Sequence, residues 1–347
     1  METLWFWLVA ALLTGYVVLD GFDLGLGALY LFLGRDDRQR RVLLQSIGPV
    51  WDANEVWLLA AGGSLVMAFP RLYASSFSGF YLPLMMVLWL LILRAIAIEF
   101  RSHLDSVVWR PFWDVVFSVA SLLLAVFLGA ALGNVVRGVP LGADGYFFNP
   151  LWTNFLPTGE RLGILDWYTV LVGVTSLVAL AHHGALWAAL RTDGVVRDRA
   201  RWAAARAWWV LLALALVLTA VTFRVQPHVP ARLAASPAGY AFPLVALAGL
   251  AGSRWMDARG REAWAFLGSA LFLVGMLLAV SFGLFPMVLP AVNDAAASLT
   301  VHNASAPASG LRMALFWWIP GMILVAGYTT FIYRHMGGKV TLDPDGY

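Results

Sequence analysis

Apolar residues run through the chain in long blocks, separated by shorter segments rich in Arg, Pro and Gly. A membrane-spanning helix needs about 20 predominantly apolar residues. Most of the blocks reach this length, although the second contains charged residues and the seventh is short. The pattern predicts nine transmembrane helices, over residues 4–33, 47–69, 74–98, 114–136, 165–190, 207–224, 240–256, 264–288 and 311–333.

The composition agrees with a polytopic membrane protein. The 347 residues are 61% hydrophobic and 12% charged, with a mean hydropathy of +0.77, whereas soluble domains are about half apolar and about a quarter charged. The net charge of +3 comes from Arg between the spans, so it indicates topology rather than nucleic-acid binding. The absence of Cys excludes disulfides, thiolate metal ligands and iron–sulfur clusters.

The basic residues also predict the orientation of the spans. With the N-terminus outside, 17 of the 23 basic residues lie on the inside, and the other six lie outside, namely Arg71, Arg137, Arg161, Arg224, Arg232 and Arg312. Every inside loop is then basic, as the positive-inside rule requires. We therefore expect an N-out/C-in topology.

A short internal repeat suggests how the spans are grouped. GALYLFLGRDD, from Gly27, is similar to GALWAALRTDG, from Gly184, although coincidence remains an alternative for so short a match. The repeat suggests two related four-helix bundles and an additional ninth helix. The expected all-α organisation is a first bundle, an outer loop, a second bundle, another outer loop, and a peripheral ninth helix with its tail, over 1–137, 138–164, 165–288, 289–310 and 311–347.

Four acidic residues interrupt the first two spans. Asp20 and Asp23 are spaced i,i+3, as are Asp52 and Glu55, so the members of each pair share a helix face. At about 1.5 Å per residue, Asp20 lies near mid-membrane and Asp23 about 5 Å towards the cytoplasm. Glu55 and Asp52 lie about 5 and 9 Å to the same side of the centre. Adjacent antiparallel helices can bring the two faces together.

Such acids are costly in a membrane. An ionised Asp near the bilayer centre costs about 2.5–3.5 kcal/mol on the insertion scale. Arg94, near the inner end of the third span, is the candidate charge partner, but one arginine does not neutralise four acids. We therefore expect some protonated carboxyls, and a candidate proton relay of Asp52, Asp23, Glu55 and Asp20. The alternative is that these acids only cap helix breaks or bind Arg94.

Two further features of these spans suggest contacts. Gly21 and Gly25 form a GxxxG pattern, which predicts close approach of another helix from this chain or a partner. Trp51 and Trp57 on the second span either line a pocket or pack at a helix seam.

The histidines offer little for a metal site. Only His182 and His183 fall within a span, and adjacent residues on a helix point about 100° apart. His182 and His183 are therefore not expected to coordinate one metal ion together. We expect buried histidines bonded to neighbouring helices, and we predict no metal site in this chain.

Several motifs together resemble one family. They are DGFDLGLG at 20–27, SIGPVWDANEVWLLAAGG at 46–63, FPRLYASSFSGFY at 69–81, LRAIAIEFRS at 93–102, HGALWAALRTDG at 183–194 and IYRHMGGKV at 332–340. In this order, and over nearly the whole chain, they resemble subunit II of the cytochrome bd quinol oxidases. The WDANEVW and GFDLGLG blocks together are the most specific part of the resemblance.

The resemblance implies a multi-pass subunit of a complex in a bacterial or archaeal cytoplasmic membrane. Such a complex oxidises membrane quinol and reduces O2 to water, and it is electrogenic without pumping. Its subunit I carries a low-spin haem b, a high-spin haem b and haem d, whereas subunit II has a similar fold and generally lacks haem ligands. Small single-helix subunits, lipid and a structural quinone are further expected partners, and nucleic acid is not.

The resemblance also implies roles for individual residues. Asp52, the acid of WDANEVW, is a candidate on a proton route from the cytoplasm, with Asp23 in support. Trp57, and with it Trp51, is a candidate border of oxygen or quinone access. Glu55 stands where some members have Gln. A proton-coupled membrane transporter is the alternative function, and a purely structural scaffold for a haem-bearing partner is a third interpretation.

Overall fold

The computed structural model describes residues 1–159, 162–335 and 337–340. Arg161, which the charge pattern places outside, and the end of the predicted tail at 341–347 lie outside these residues. Within the described ranges the α-helices are α1 (Glu2–Leu33), α2 (Asp37–Ile47), α3 (Trp51–Ala68), α4 (Pro70–Gly79), α5 (Tyr81–Phe100), α6 (Trp109–Arg137), α7 (Trp167–Arg191), α8 (Gly194–Val225), α9 (His228–Ala235), α10 (Ala241–Ala258), α11 (Glu262–Leu284) and α12 (Ala308–His335). Two short strands, β1 (Met287–Leu289) and β2 (Leu299–Thr300), complete the fold.

The described helices supply seven to nine candidate membrane spans. Seven are long and apolar enough alone, namely α1, α5, α6, α7, α8, α11 and α12. Two more arise if each bent pair counts as one span: α3 with α4, and α9 with the segment that ends in α10. Each of the nine predicted spans coincides with a helix, so the mostly helical membrane fold is confirmed.

The boundaries of the second and third predicted spans were wrong, and Pro70 explains part of the difference. Proline restricts the residue before it and fits the first position of a helix, so α3 ends before Phe69 and α4 starts at Pro70. The chain bends by 118° at this point. Residues 74–79, predicted in the third span, belong to α4, and α5 begins only at Tyr81.

The loop predicted before the second span contains an unpredicted helix. Asp36 caps α2 by accepting a hydrogen bond from the backbone N–H of Gln39, at 2.8 Å. Because α2 runs to Ile47, the second span starts at Trp51 and not at residue 47. The helix of the sixth predicted span, by contrast, starts earlier than the predicted residue 207. α8 begins at Gly194, and the buried alanines of an arginine-rich segment form its first turns.

The described part of the outer loops includes the β-structure that an all-α prediction missed. The eighth span was predicted to reach residue 288, but α11 ends at Leu284, and prolines flank the segment that forms β1. β1 pairs antiparallel with β2. The backbone N–H of Val139 in the other outer loop donates to Pro290 O at 3.0 Å, and the two loops share one apolar cluster.

α1 is the central helix of the described fold, and it packs against α3, α6, α7 and α11. Its contact with α7 is made through glycine. A Cβ at Gly25 would lie 1.7 Å from the carbonyl oxygen of Leu180, and one at Gly184 would lie 2.2 Å from the backbone nitrogen of Leu26. The predicted glycine face therefore meets another helix of this chain, and the repeat segment at Gly184 lies at this crossing.

This contact predicts a strong effect of Gly25→Leu. The added side chain overlaps the α7 backbone, and overpacking of this kind costs about 3 kcal/mol or more. We expect a clear fall in Tm of the detergent-solubilised protein, measured by thermal unfolding. Gly327→Leu is the matched control, since a Cβ at Gly327 on α12 meets no atom within 4 Å. Equal Tm values for the two variants would contradict the close helix contact.

Candidate functional site

Three helices bring one basic and three acidic side chains together inside the bundle. Asp20 and Asp23 come from α1, Glu55 from the first half of α3, and Arg94 from the last part of α5. Asp20, Asp23 and Arg94 are fully buried, whereas the side chain of Glu55 is 23% exposed. Together these four residues form the Arg94 cluster.

Arg94 makes its strongest contact with Asp20. Its Nη2 lies 2.6 Å from Asp20 Oδ1 and its Nη1 lies 3.1 Å from Asp20 Oδ2, which is the bidentate geometry of a strong guanidinium–carboxylate pair. The same Nη1 donates to Glu55 Oε1 at 3.0 Å. Asp23 is a more distant neighbour, with its Oδ2 3.9 Å from Nη2.

Asp23 is held by an amide instead of by the guanidinium. Asn54 Nδ2 donates to Asp23 Oδ2 at 2.7 Å and to the backbone oxygen of Leu19 at 3.0 Å. The hydroxyl of Tyr333, on α12, donates to Asn54 Oδ1 at 3.0 Å. Asp23 Oδ1 has no hydrogen-bond partner among the described residues.

The charges of the Arg94 cluster do not balance if every carboxyl is ionised. One guanidinium faces three carboxyl groups, and each uncompensated buried charge is costly in a medium without water. Asp20, with two hydrogen bonds from Arg94, is the carboxyl best placed to remain ionised. Asp23, with one bond from a neutral amide, is better placed to hold a proton. The cluster therefore has the composition of a site that stores and exchanges protons.

Asp52 does not join this cluster. It lies in the first turn of α3 and is exposed, whereas its neighbours Ala53 and Asn54 are buried. The expectation that both i,i+3 faces meet is therefore wrong for Asp52, because the buried side of α3 is centred on Asn54 and Ala61. Two residues turn a helix by about 200°, which places Asp52 on the side opposite Asn54.

The two tryptophans are packed at helix contacts. Trp51 is 9% exposed and belongs to the apolar cluster that contains Phe22. The ring of Trp57 lies against α1 at Gly15, where an added Cβ would be 2.5 Å from Trp57 Cε3. These contacts match the packing interpretation of both residues, and a role at an access path stays a prediction.

His182 and His183 bind to other helices, as expected. His182 contacts Ala204 O at 3.0 Å through Nδ1 and Ser253 Oγ at 3.2 Å through Nε2. His183 contacts Ser269 Oγ at 2.7 Å and Val18 O at 3.0 Å. Both ring nitrogens of each histidine thus have a partner inside the protein. In the described ranges, no group of three or more His, Asp or Glu side chains is arranged to hold a metal ion.

A second buried cluster lies where α1 and α5 end and α6 begins. Asp114 accepts hydrogen bonds from Tyr30 at 2.8 Å, from Arg40 at 2.9 Å and from Arg101 at 2.5 Å. Burial lowers the pKa of Arg101, but the hydrogen bonds and charges of its acidic neighbours, above all Asp114, together outweigh this effect, and the pKa lies above its ordinary value. The guanidinium therefore stays charged and ties α2, α5 and α6 together through Asp37 and Asp114.

Comparison with known proteins identifies the family. The family description "Cytochrome bd terminal oxidase subunit II" matches residues 1–336. The chain belongs to this family.

Individual relatives of this family cover nearly the whole chain. Cytochrome bd-I ubiquinol oxidase subunit 2 of Escherichia coli is 32% identical, over 99% of this chain and 96% of that protein. Cytochrome bd ubiquinol oxidase subunit 2 of Bacillus subtilis is 34% identical, over 96% of each. The solved bd oxidase from Geobacillus thermodenitrificans has a TM-score of 0.76 at 17% identity, over 96% of this chain and 97% of the matched chain, which shows the shared fold. The family and the apolar helices indicate a multi-pass protein of the bacterial inner membrane.

Asn54, Tyr333 and Asp114 were not among the residues predicted from sequence. Asn54 had a detectable signal, since it is a polar residue inside the apolar span and next to Glu55. Asp114 marked the edge of the fourth predicted span. Tyr333 lies in the quoted segment IYRHMGGKV, but its residue type did not mark it, because tyrosine is common near the ends of membrane helices.

The geometry of the Arg94 cluster predicts the effect of Arg94→Gln. Removing one partner leaves uncompensated buried charge, which costs about 3–5 kcal/mol. We expect a lower Tm and a lower yield of folded protein, and partial recovery in Arg94→Gln/Asp20→Asn. Arg206→Gln is the control, because Arg206 is an exposed arginine on α8. A double variant as unstable as Arg94→Gln alone would contradict charge imbalance as the cause.

Proposed function

We propose that this chain, as subunit II of a bd-type terminal oxidase, delivers protons from the cytoplasm towards the site of O2 reduction. The complex would oxidise membrane quinol and reduce O2 to water without pumping. In this proposal, Asp52 and Glu55 form the entrance of the relay. Asp23 holds a proton further inside, and Asp20 takes part as the ionised carboxylate beside it. Arg94 fixes the carboxyls and sets the charge of the cluster.

The Arg94 cluster, buried on one side and reachable on the other, is the observation that carries the proposal. Glu55 is partly exposed while its carboxylate touches Arg94, so it connects the buried acids with the outside of the chain. Asp52 lies one turn away on the exposed side of α3. From Asp52, a proton would find Glu55 within one helical turn. Asp20 and Asp23 lie further inside the protein.

The proposed direction of transfer depends on topology. The charge pattern favours nine spans with the N-terminus outside and the C-terminus inside. In that topology α3 starts on the cytoplasmic side, so Asp52 and Glu55 lie between the cytoplasm and the bilayer centre. We propose the same arrangement of two four-helix bundles, 1–137 and 165–288, with α12 as the peripheral ninth helix. The exposed apolar surface of α12 supports this placement.

The proposal places the haems in the partner subunit. His182 and His183, whose four ring nitrogens all have hydrogen-bond partners in this chain, do not fit axial haem ligands. We therefore propose that haem b, a second haem b and haem d bind to subunit I, where they supply the electron transfer to O2. Quinol is the proposed substrate class because relatives are described as ubiquinol oxidase subunits. Membrane lipid, a structural quinone and small single-helix subunits are further proposed partners.

Two other interpretations compete with proton delivery. Membership of the bd oxidase family favours the oxidase over a proton-coupled transporter. A scaffold would contain the same Arg94 cluster as a purely structural element, so only a functional measurement separates scaffold from relay.

Carboxyl removal provides that measurement. We expect Asp52→Asn, coexpressed and purified with the haem-bearing partner, to lower quinol-dependent oxygen uptake about a hundredfold, as loss of a positioned proton-transfer group does. We expect Asp23→Asn to lower it in the same direction and by less. In both variants the reduced-minus-oxidised haem spectrum should match the wild type, because each substitution preserves shape.

An exposed acid on another helix serves as the control. Asp198→Asn on α8 removes a carboxyl from an exposed position and should leave oxygen uptake unchanged. Wild-type turnover in Asp52→Asn and Asp23→Asn would favour the scaffold. Loss of the haem spectrum together with turnover would show that the acids act in assembly.

A further inference from the structure

A line of hydrogen bonds runs from the peripheral helix to Asp23. Tyr333 near the end of α12 donates to Asn54 on α3, and Asn54 donates to Asp23 on α1, with donor–acceptor distances of 3.0 and 2.7 Å. Asn54 is fully buried, and the ring of Tyr333 packs edge-on against Trp187 of α7 with centroids 6.2 Å apart. Four helices therefore meet at this line.

We propose that Asn54 and Tyr333 are positioning residues for proton exchange at Asp23, an inference that rests on the proposed relay function. They hold the Asp23 carboxyl in one orientation, and Tyr333 acts only through Asn54. Neither residue has to give up a proton. In each cycle Asp23 gains one proton and later releases one, while the amide and the phenol keep theirs.

The amide orientation of Asn54 follows from its neighbours. The backbone oxygen of Leu19 is an acceptor only, so the Asn54 atom that faces it at 3.0 Å is the NH2 group. The same NH2 group therefore points at Asp23 Oδ2. The amide oxygen then faces Tyr333, and the phenol must be the donor. Reversing the amide would place its single oxygen against both Leu19 O and Asp23 Oδ2, which is unfavourable.

This orientation separates the two oxygens of Asp23. Oδ2 receives the amide N–H and is the oxygen nearest Arg94, at 3.9 Å. Oδ1 is buried and has no hydrogen-bond partner among the described residues. Oδ1 is therefore the oxygen that takes up the proton. If the amide turned, Asp23 would lose its fixed geometry, and a carboxyl misplaced by about 1 Å transfers protons slowly.

Tyr333 couples this geometry to the position of α12. α12 has an apolar stretch that is 0% buried, and among the described helices it contacts α3 and α1 most. Trp318 Nε1 bonds Ser64 of α3 at 3.2 Å, and Tyr333 bonds Asn54 about four turns further along α12. These two polar contacts fix how α12 lies on α3.

The test uses Tyr333→Phe and Asn54→Leu in the complete oxidase complex, with turnover and infrared difference spectra as readouts. The carbonyl stretch of a protonated carboxyl reports its hydrogen bonds, and the band of Asp23 is identified by its loss in Asp23→Asn. We expect Tyr333→Phe to lower turnover about fivefold, because loss of one neutral hydrogen bond changes a rate by about this factor. We also expect it to shift the frequency of the Asp23 band. Asn54→Leu should displace it further. Adding Tyr333→Phe to Asn54→Leu should change nothing more, because Tyr333 acts through Asn54.

Tyr328→Phe is the matched control, since this exposed tyrosine lies on the same helix. It should leave band and turnover unchanged. An unmoved band or unchanged turnover in Tyr333→Phe would overturn the proposal, as would a wild-type spectrum without an Asp23 band. A haem spectrum like the wild type confirms assembly of each variant.

Asp23→Asn distinguishes failure of the relay from failure of the positioning role. If Asp23→Asn keeps full turnover, the relay itself fails. If Asp23→Asn loses turnover while Tyr333→Phe does not, only the positioning role fails.

Discussion

The burial of one guanidinium among three carboxyl groups is the constraint on which the rest of the site depends. Such a group is tolerated only with good geometry, since desolvation rivals the Coulombic gain. Arg94 meets this condition with a bidentate contact to Asp20 and a third hydrogen bond to Glu55. Because each partner lies on a different helix, the contact fixes α1, α3 and α5 relative to one another. In the proposed relay, the surplus of acid over base gives the site its capacity for protons.

The segment DGFDLGLG provides both the acids and the packing that supports them. Asp20 and Asp23 point towards α3 and α5, while Gly21 and Gly25 allow α7 to approach the α1 backbone. The close contact with α7 uses a different side of α1 from the one that carries the two carboxyls.

Depth along a membrane helix was predictable from sequence, whereas rotation about its axis was not. Counting residues placed Asp23 and Glu55 at a similar depth, and both belong to the Arg94 cluster. The same counting did not show that Asp52 lies on the exposed side of α3, because the buried side depends on how α2 and the turn at residue 50 set the helix. The Tyr333–Asn54 contact joins residues 279 apart, and the positions of α12 and α3 that produce it depend on packing throughout the chain.

Time-resolved proton uptake by the reduced oxidase, after mixing with O2, tests the central claim most directly. The wild type and Asp23→Asn would be compared side by side, with a pH dye for protons and haem absorbance for electron transfer. The account predicts that the first electron transfer proceeds at the wild-type rate in the variant, while proton uptake is slowed together with every later step. Proton uptake at the wild-type rate in Asp23→Asn would contradict it.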